Sequence, residues 1–444
     1  MIGRMNDEIV KRYSLAEIVM LVIFILGLAI AQIIVKVRHR IILSEPIALA
    51  GSGLAVPMPI SPGWEHETNW RYESGNSMAL VAQQQIRQSP RVAVQWRYNI
   101  CSAGGTAEEI LTRRIKASGS KSGTIETLAG PVTMCYTIVY PSDSQMPFYL
   151  GVAPLDFGRC LELQVAVDHE QDFTMAEELF QALAASIHYR PPEELKAGKD
   201  LVKTFWDQMQ NDSLSLGKKE EQAFLIKSPD NRPAGYGYTR FSKINVDTQT
   251  RLQLLSVQYA HNLSLVRSVL WFDGGQRNFT WKTTIHQAGM GPPQSYRLDQ
   301  EADGTIKITT NSEAKATFDC DALVLPEVLV PEFATLFLEG QPNNAVVVDV
   351  IASTGFVVPT VMEQIDVQKA KAHSEQVVYV VKIDFLNNKN SFEELYFDKD
   401  KRFIGRYEQQ PLHKQIWELT TPAALKQIFK DNYQPANDTV AVVQ

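Results

Sequence analysis

The longest unbroken apolar stretch lies near the start of the chain. Ile18 to Val35 reads IVMLVIFILGLAIAQIIV, in which only Gln32 is polar. Leu15 and Ala16 extend it beyond Glu17. Such a run predicts a helix that is apolar all round, and about 20 apolar residues cross a hydrocarbon core of about 30 Å. The expectation is a transmembrane helix over residues 15–35, with residues 1–14 as its flank. A cleaved signal segment has a shorter apolar region, typically 7–15 residues, and a small-residue cleavage site. Here Lys36-Val37-Arg38-His39-Arg40 follows instead, so the segment is expected to be retained as a signal-anchor. Pro46, Gly51, Gly53, Pro57, Pro59 and Pro62 then punctuate the chain, which predicts a tether over residues 36–62.

Residues 63–192 mix two periods. Ser77–Gln83, Val92–Tyr98, Val132–Tyr140 and Cys160–Val167 are β-forming and tend to alternate, which reads as strands. Thr106 with Glu109 three residues on is a capping-box pattern, and it predicts a helix to Lys116. Thr174 with Glu177 repeats that signal and predicts a second helix to His188, with Leu179, Leu183 and Ile187 on one face. The result is an α+β layered domain. Residues 193–222 read as a helical connector, with Leu201, Phe205, Trp206 and Met209 on the apolar side of the helix and a polar surface stretch after it.

Residues 223–432 read as strand after strand. Asp273-Gly274-Gly275 and Asp303-Gly304 are hairpin signals. Leu325–Leu338 interrupts the series with an apolar helix that Pro331 is expected to split or shorten. A short helix over Thr420–Lys430 is expected near the end, before a flexible tail over residues 433–444. The fold class is therefore α+β: a single N-terminal transmembrane helix, an α/β/α sandwich domain, and an antiparallel half-barrel β domain with a helix.

Two family resemblances accompany this pattern. The ISPGW opening (Ile60–Trp64), VQWRY (Val94–Tyr98), the LELQV strand (Leu161–Val165) and the final amphipathic helix ending ASIHY resemble the PsbP-like α/β/α sandwich family. That resemblance covers about 130 residues and implies docking or assembly rather than catalysis. GYGYTRF (Gly235–Phe241), the LPEVLVPEF helix and ELYFDKDKRFIGRYE (Glu394–Glu408) resemble the LolA/LolB-like lipoprotein-carrier superfamily over about 200 residues. This second resemblance implies a curved half-barrel whose apolar pocket holds acyl chains against a helix.

Composition narrows the chemistry. The formal charge is −7, and the first 40 residues hold six Lys/Arg against Asp7, Glu8 and Glu17, which leaves about −10 on the rest. An acidic body opposes broad nucleic-acid binding. Cys101, Cys135, Cys160 and Cys320 are few and scattered; most are expected as small buried residues, and one bridge among the first three is the lesser alternative, open only in an oxidising compartment. The histidines do not cluster: His169 falls in a polar loop, and His261 and His286 near neighbouring strands lack a completing ligand. Carboxylates flanking Cys320 would raise its thiol pKa and oppose nucleophilic use. No catalytic residues, metal ligands or cofactors are assigned.

The candidate site is an apolar groove on the concave face of the half-barrel, lined by Tyr238, Phe241, Trp271, Phe279, Trp281, Leu329 and Phe333. Core packing is the competing role for the same residues. The expected function is a non-enzymatic, membrane-anchored binding or assembly protein of the cell envelope. Its soluble domains would be extracytoplasmic, and its partners the membrane through residues 15–35 and a protein or apolar ligand. The alternatives are a carrier or sensor of lipid, and a cytoplasmic membrane-tethered adaptor.

Overall fold

The computed structural model describes residues 15–38, 41–84, 92–102, 104–142, 146–168, 172–210, 221–246, 249–260, 264–273, 279–287, 289, 291–301, 304–311, 313–319, 323–340, 345–386, 390–411 and 414–433. The turns at Gly274-Gly275 and Asp303, together with Cys320, His169, His261 and the 433–444 tail beyond Tyr433, lie outside them. The protein is mixed α+β and strand-rich, with open sheets.

Helix α1 runs from Leu15 to Arg38. Its described side chains are those of residues 17–28, all exposed. Among the described residues no helix is long and apolar enough to cross a membrane, so the structure does not establish the span expected over residues 15–35.

The expected tether is corrected from residue 41 onward. Ile47–Leu49 pairs with Leu54–Val56, and the latter pairs with His188–Tyr189. Leu49, Leu54, Val56 and Met58 are buried in the main core. The prolines and glycines of this stretch shape a packed hairpin: Gly51 and Gly53 both adopt positive φ in its turn.

A nine-stranded sheet follows, carrying two helices. Helix α2 (Ala107–Ala117) has the capping box read from the sequence, with Glu109 N–H donating to Thr106 Oγ1 and Thr106 N–H donating to Glu109. Helix α3 (Phe173–Ala185) starts two residues earlier than a Thr174 cap would place it, and its N-cap is Asp172 without a side-chain hydrogen bond. Its apolar stripe, Leu179 and Leu183, fixes its seat regardless of the cap. Cys101, Cys135 and Cys160 are buried and form no disulfide bridge with one another.

Helix α4 spans Glu193–Gln210, beginning directly after Pro191-Pro192. It is a core element as well as a link: Phe205 and Val202 are fully buried and Trp206 nearly so. A Cβ at Gly198 would lie 1.9 Å from the Val347 carbonyl, so glycine is what lets α4 approach strand Val346–Ile351.

The remaining chain builds one fifteen-stranded sheet. From Glu313–Asp319 the order runs backward along the sequence to Gln222–Lys227. That strand pairs with Lys414–Thr420, and from there the order runs backward again to Leu325–Pro326. All pairs are antiparallel except the last, in which Leu325–Pro326 runs parallel to Val346–Ile351. Pro331 sits at the second position of α5 (Val330–Gly340), behind a 3-10 turn over Glu327–Leu329. A proline there lacks only an N–H the helix does not need, so the expected long helix is shortened at its start. Helix α6 (Pro422–Phe429) is capped by Thr421.

Candidate functional site

The face of the large sheet covered by α4 and α5, the one expected to be concave, is graded in rows, because strand periodicity and register bring one residue from each strand to the same level. The first row is apolar. Phe241, Leu254, Leu270, Trp281, Leu298 and Ile308 are successive register partners, and all belong to the main core. Helices α4 and α5 cover this row. Trp206 stacks on Phe279 with centroids 6.2 Å apart and planes at 4°, and Phe205 meets Phe333 edge-on at 5.6 Å. Phe333 and Leu329 are fully buried, and Phe279 and Trp281 nearly so.

This packing corrects the expected apolar groove. Phe241, Phe279, Trp281, Leu329 and Phe333 do come together, but they fill the concavity together with the two helices. Tyr238 and Trp271 lie on the opposite face, in a cluster beneath Leu425 and Phe429 of α6. Residue parity decides the matter: Tyr238 and Phe241 are three apart and must point to opposite sides of one strand.

Two residues along each strand, the concave face turns polar. Thr239, Ser256, Ser268, Thr283, Tyr296 and Thr310 form the next row, again in unbroken register. The Ser268 and Thr283 hydroxyls are 2.8 Å apart and buried. Thr239, Ser256 and Tyr296 are half-buried, so the row keeps contact with solvent.

On the strand Pro233–Val246 the next two positions of this face are Gly237 and Gly235. A Cβ on Gly237 would come within 2.2 Å of the Trp417 ring, which occupies that space. The Arg406 guanidinium lies over the ring with its carbon 3.8 Å from the centroid, a stacked cation–π contact. Arg406 donates to Glu408 at 2.6 Å and approaches Glu393 at 3.5 Å. Glu393 and Glu408 are direct register partners, and Gln415 follows Glu408 in the same row. Glu327, from the turn before α5, adds its negative charge to the group and remains exposed.

Three carboxyls therefore share one guanidinium. Burial is the main force pushing the Glu393 carboxyl up to about 8; Glu408 and Glu327 push the same way and Arg406 opposes them. Arg406 is held above its ordinary value by its acidic neighbours, against its own desolvation.

Four buried polar atoms on this side of the concave face have no hydrogen-bond partner: Arg406 Nε, Trp417 Nε1, Gln415 Oε1 and Gln364 Oε1. Two are donors and two acceptors. Each is costly to leave unpaired, typically by 1–3 kcal/mol. The Arg406 and Glu393 side chains retain 22% and 15% exposure, so this end of the concavity is reached from outside. Sequence reading missed this group because Glu393, Arg406, Glu408 and Trp417 look like ordinary alternation on separate strands.

A separate cavity of about 350 Å³ lies on the opposite face, against His373, Val377, Tyr396, Ile404 and Ile416. The exposed His373 ring stacks near Tyr396 and Tyr407, with centroids 6.1 and 6.2 Å away. Of its acidic lining groups, Glu375 and Glu418, the latter is already paired with Lys227. Among the described residues no group of three or more His, Cys, Asp or Glu is placed to hold a metal ion.

Comparison with known proteins adds little. No family model matches, and no curated protein matches. Among solved structures, the chain is similar to a β-barrel-like protein of a domain of unknown function, DUF1849, from Brucella abortus. That match has a TM-score of 0.33 and 10% identity, and covers 45% of this chain and 95% of that one. It is also similar to the solution structure of cyanobacterial PsbP from Synechocystis sp. PCC 6803, with a TM-score of 0.26 and 14% identity over 33% of this chain and 92% of that one. At these scores neither likeness carries an argument about this chain. The lipoprotein-carrier resemblance is not shown.

Proposed function

We propose that the chain is a membrane-anchored, non-enzymatic binding protein that takes a polar ligand on the graded end of its large sheet. The observation that carries this reading is the unpaired set of buried donors and acceptors beside Arg406 and Trp417. A ligand able to both donate and accept hydrogen bonds matches this mixture of donors and acceptors, and the hydroxyl row extends the same surface. An apolar cargo has no such match, since the apolar row is filled by α4 and α5.

The anchor is α1. The basis is its sequence, since Ile18 to Val35 holds Gln32 as its one polar residue. Met20, Ile23 and Phe24 are 72%, 61% and 64% exposed, so the helix offers water no compatible face.

Native mass spectrometry of the full chain extracted in mild detergent tests the binding reading. Wild-type protein is expected to carry a low-mass polar species. Trp417→Phe, which keeps the ring and removes the N–H, is expected to lower its occupancy about tenfold, matching a lost buried hydrogen bond. A wild-type chain that never carries such a species, or equal occupancy in a folded Trp417→Phe protein, would overturn the assignment.

A further inference from the structure

We infer that the hairpin after α1 is a rigid collar on the bilayer, with Ile42 and Ile60 seated in the membrane interface. This rests on α1 being the anchor proposed above. Helix α1 ends at Arg38, and Ile42 follows four residues later. At no more than about 3.6 Å per residue, Ile42 lies within about 14 Å of the helix end. A helix that spans the membrane therefore delivers Ile42 to the headgroup region.

Ile60 is brought to the same place by backbone pairing. The Ile60 N–H donates to the Ile42 carbonyl at 2.8 Å, and the Ile42 N–H donates to Ser61 Oγ at 3.0 Å. Leu43 bridges Pro59, and the Ser44 N–H donates to the Met58 carbonyl at 2.7 Å. Ile42 and Ile60 are 41% and 43% exposed, although their neighbours Pro59 and Met58 are buried. Pro62 and Gly63 continue the exposed lip, and half-buried Trp64 stands beside it. Tryptophan suits the interface, where its ring meets lipid and its N–H meets water.

The opposite side of the hairpin is bonded to the body. Leu49, Leu54, Val56 and Met58 are core residues. The Trp96 indole N–H donates to the Pro57 carbonyl at 3.0 Å, and the Arg190 N–H to the Gly53 carbonyl at 2.9 Å. An element fixed to the body on one side, and delivered to the bilayer by the anchor on the other, sets the body's orientation. The occupant is a lipid surface because the same chain enters it four residues earlier. Lys36, Arg38 and Arg40 in the adjoining sequence suit anionic headgroups, while exposed Glu45 and Glu65 are expected on the water side.

The test uses the full chain in phosphatidylcholine–phosphatidylglycerol vesicles, with an environment-sensitive fluorophore attached through Val22→Cys, Ile42→Cys or Ile60→Cys. Lipid-borne quenchers are placed at shallow or deep positions. The inference expects blue-shifted emission at 42 and 60 with loss of intensity to the shallow quencher, and loss at 22 to the deep one. Quenching at 22 with water-like, unquenched emission at both 42 and 60 would overturn the collar and leave the anchor standing. No quenching at 22 would overturn the anchor, and the collar with it.

Discussion

Two ion clusters in this protein are each built around one arginine, and they differ in charge balance. At the junction of the two sheets, Arg159 donates to both Asp349 oxygens, at 2.6 and 2.8 Å. It also donates to Tyr98 at 3.1 Å and to the Ile100 carbonyl. Lys199 of α4 shares Asp349 and donates to the Leu323 carbonyl at 2.9 Å. Arg159 and Asp349 have 2% and 0% side-chain exposure. At the concave end of the large sheet, Arg406 faces three carboxyls, reaches solvent, and sits among unpaired donors and acceptors. The first cluster is hydrogen-bonded throughout and joins the two parts of the chain. The second is incomplete, which is what marks it as a place for something else to bind.

The largest expected effect tests the balanced cluster. Asp349→Ala strands two cations at a buried junction and is expected to cost roughly 3–5 kcal/mol of stability, read by denaturant unfolding. Trp417→Phe at the other site is expected to cost far less. A small loss at Asp349 would mean that water reaches the junction and that the contrast drawn between the clusters is false.

The clusters should also answer pH in opposite directions. Burial opposes ionisation of Asp349, but Arg159 and Lys199 together outweigh it and hold the carboxyl below its ordinary value. Its stabilisation is present above the unfolded carboxylate range and is lost as pH falls through and below that range. Glu393 is pushed the other way, from an ordinary 4.5 to about 8. The folded state then keeps a proton that the unfolded chain releases, so stability falls as pH rises from about 4.5 to about 8. Glu393→Gln removes that proton linkage. It is expected to flatten the stability profile between those values and to raise stability at pH 8 by roughly 1–3 kcal/mol. An unchanged slope in Glu393→Gln would place the carboxyl in solvent and remove the incomplete cluster.

The contrast also explains what the sequence could reveal. Strand periodicity in 223–432, the Thr106 capping box and the proline-shortened α5 were legible because each is local. The apolar residues Phe279, Trp281 and Phe333 were legible as a group, but not as a filled core, since the filling Phe205 and Trp206 come from a helix that reads as a connector. The 41–62 stretch was misread because its prolines and glycines mark turns equally well in a tether and in a packed hairpin. The site itself was invisible for a different reason. Ser268, Thr283, Glu393 and Arg406 acquire meaning only through register across many strands, and single-strand alternation does not encode register.

The smallest expected effect falls on the hydroxyl row. Ser268→Ala leaves the buried Thr283 hydroxyl without its partner at 2.8 Å, and about 1 kcal/mol of stability should be lost. Adding Thr283→Val removes the second hydroxyl while keeping the side chain's shape, so most of that loss should be recovered. The pair thereby separates two roles that a single substitution confuses. A row that only holds the sheet together would lose nothing further once both groups are apolar. A row that meets a ligand would regain stability in the double variant and still carry less of the bound polar species. Thermal unfolding and native mass spectrometry on the same two proteins read the two quantities independently. Recovery of stability with undiminished occupancy would confine the binding surface to Arg406, Trp417 and their carboxyls.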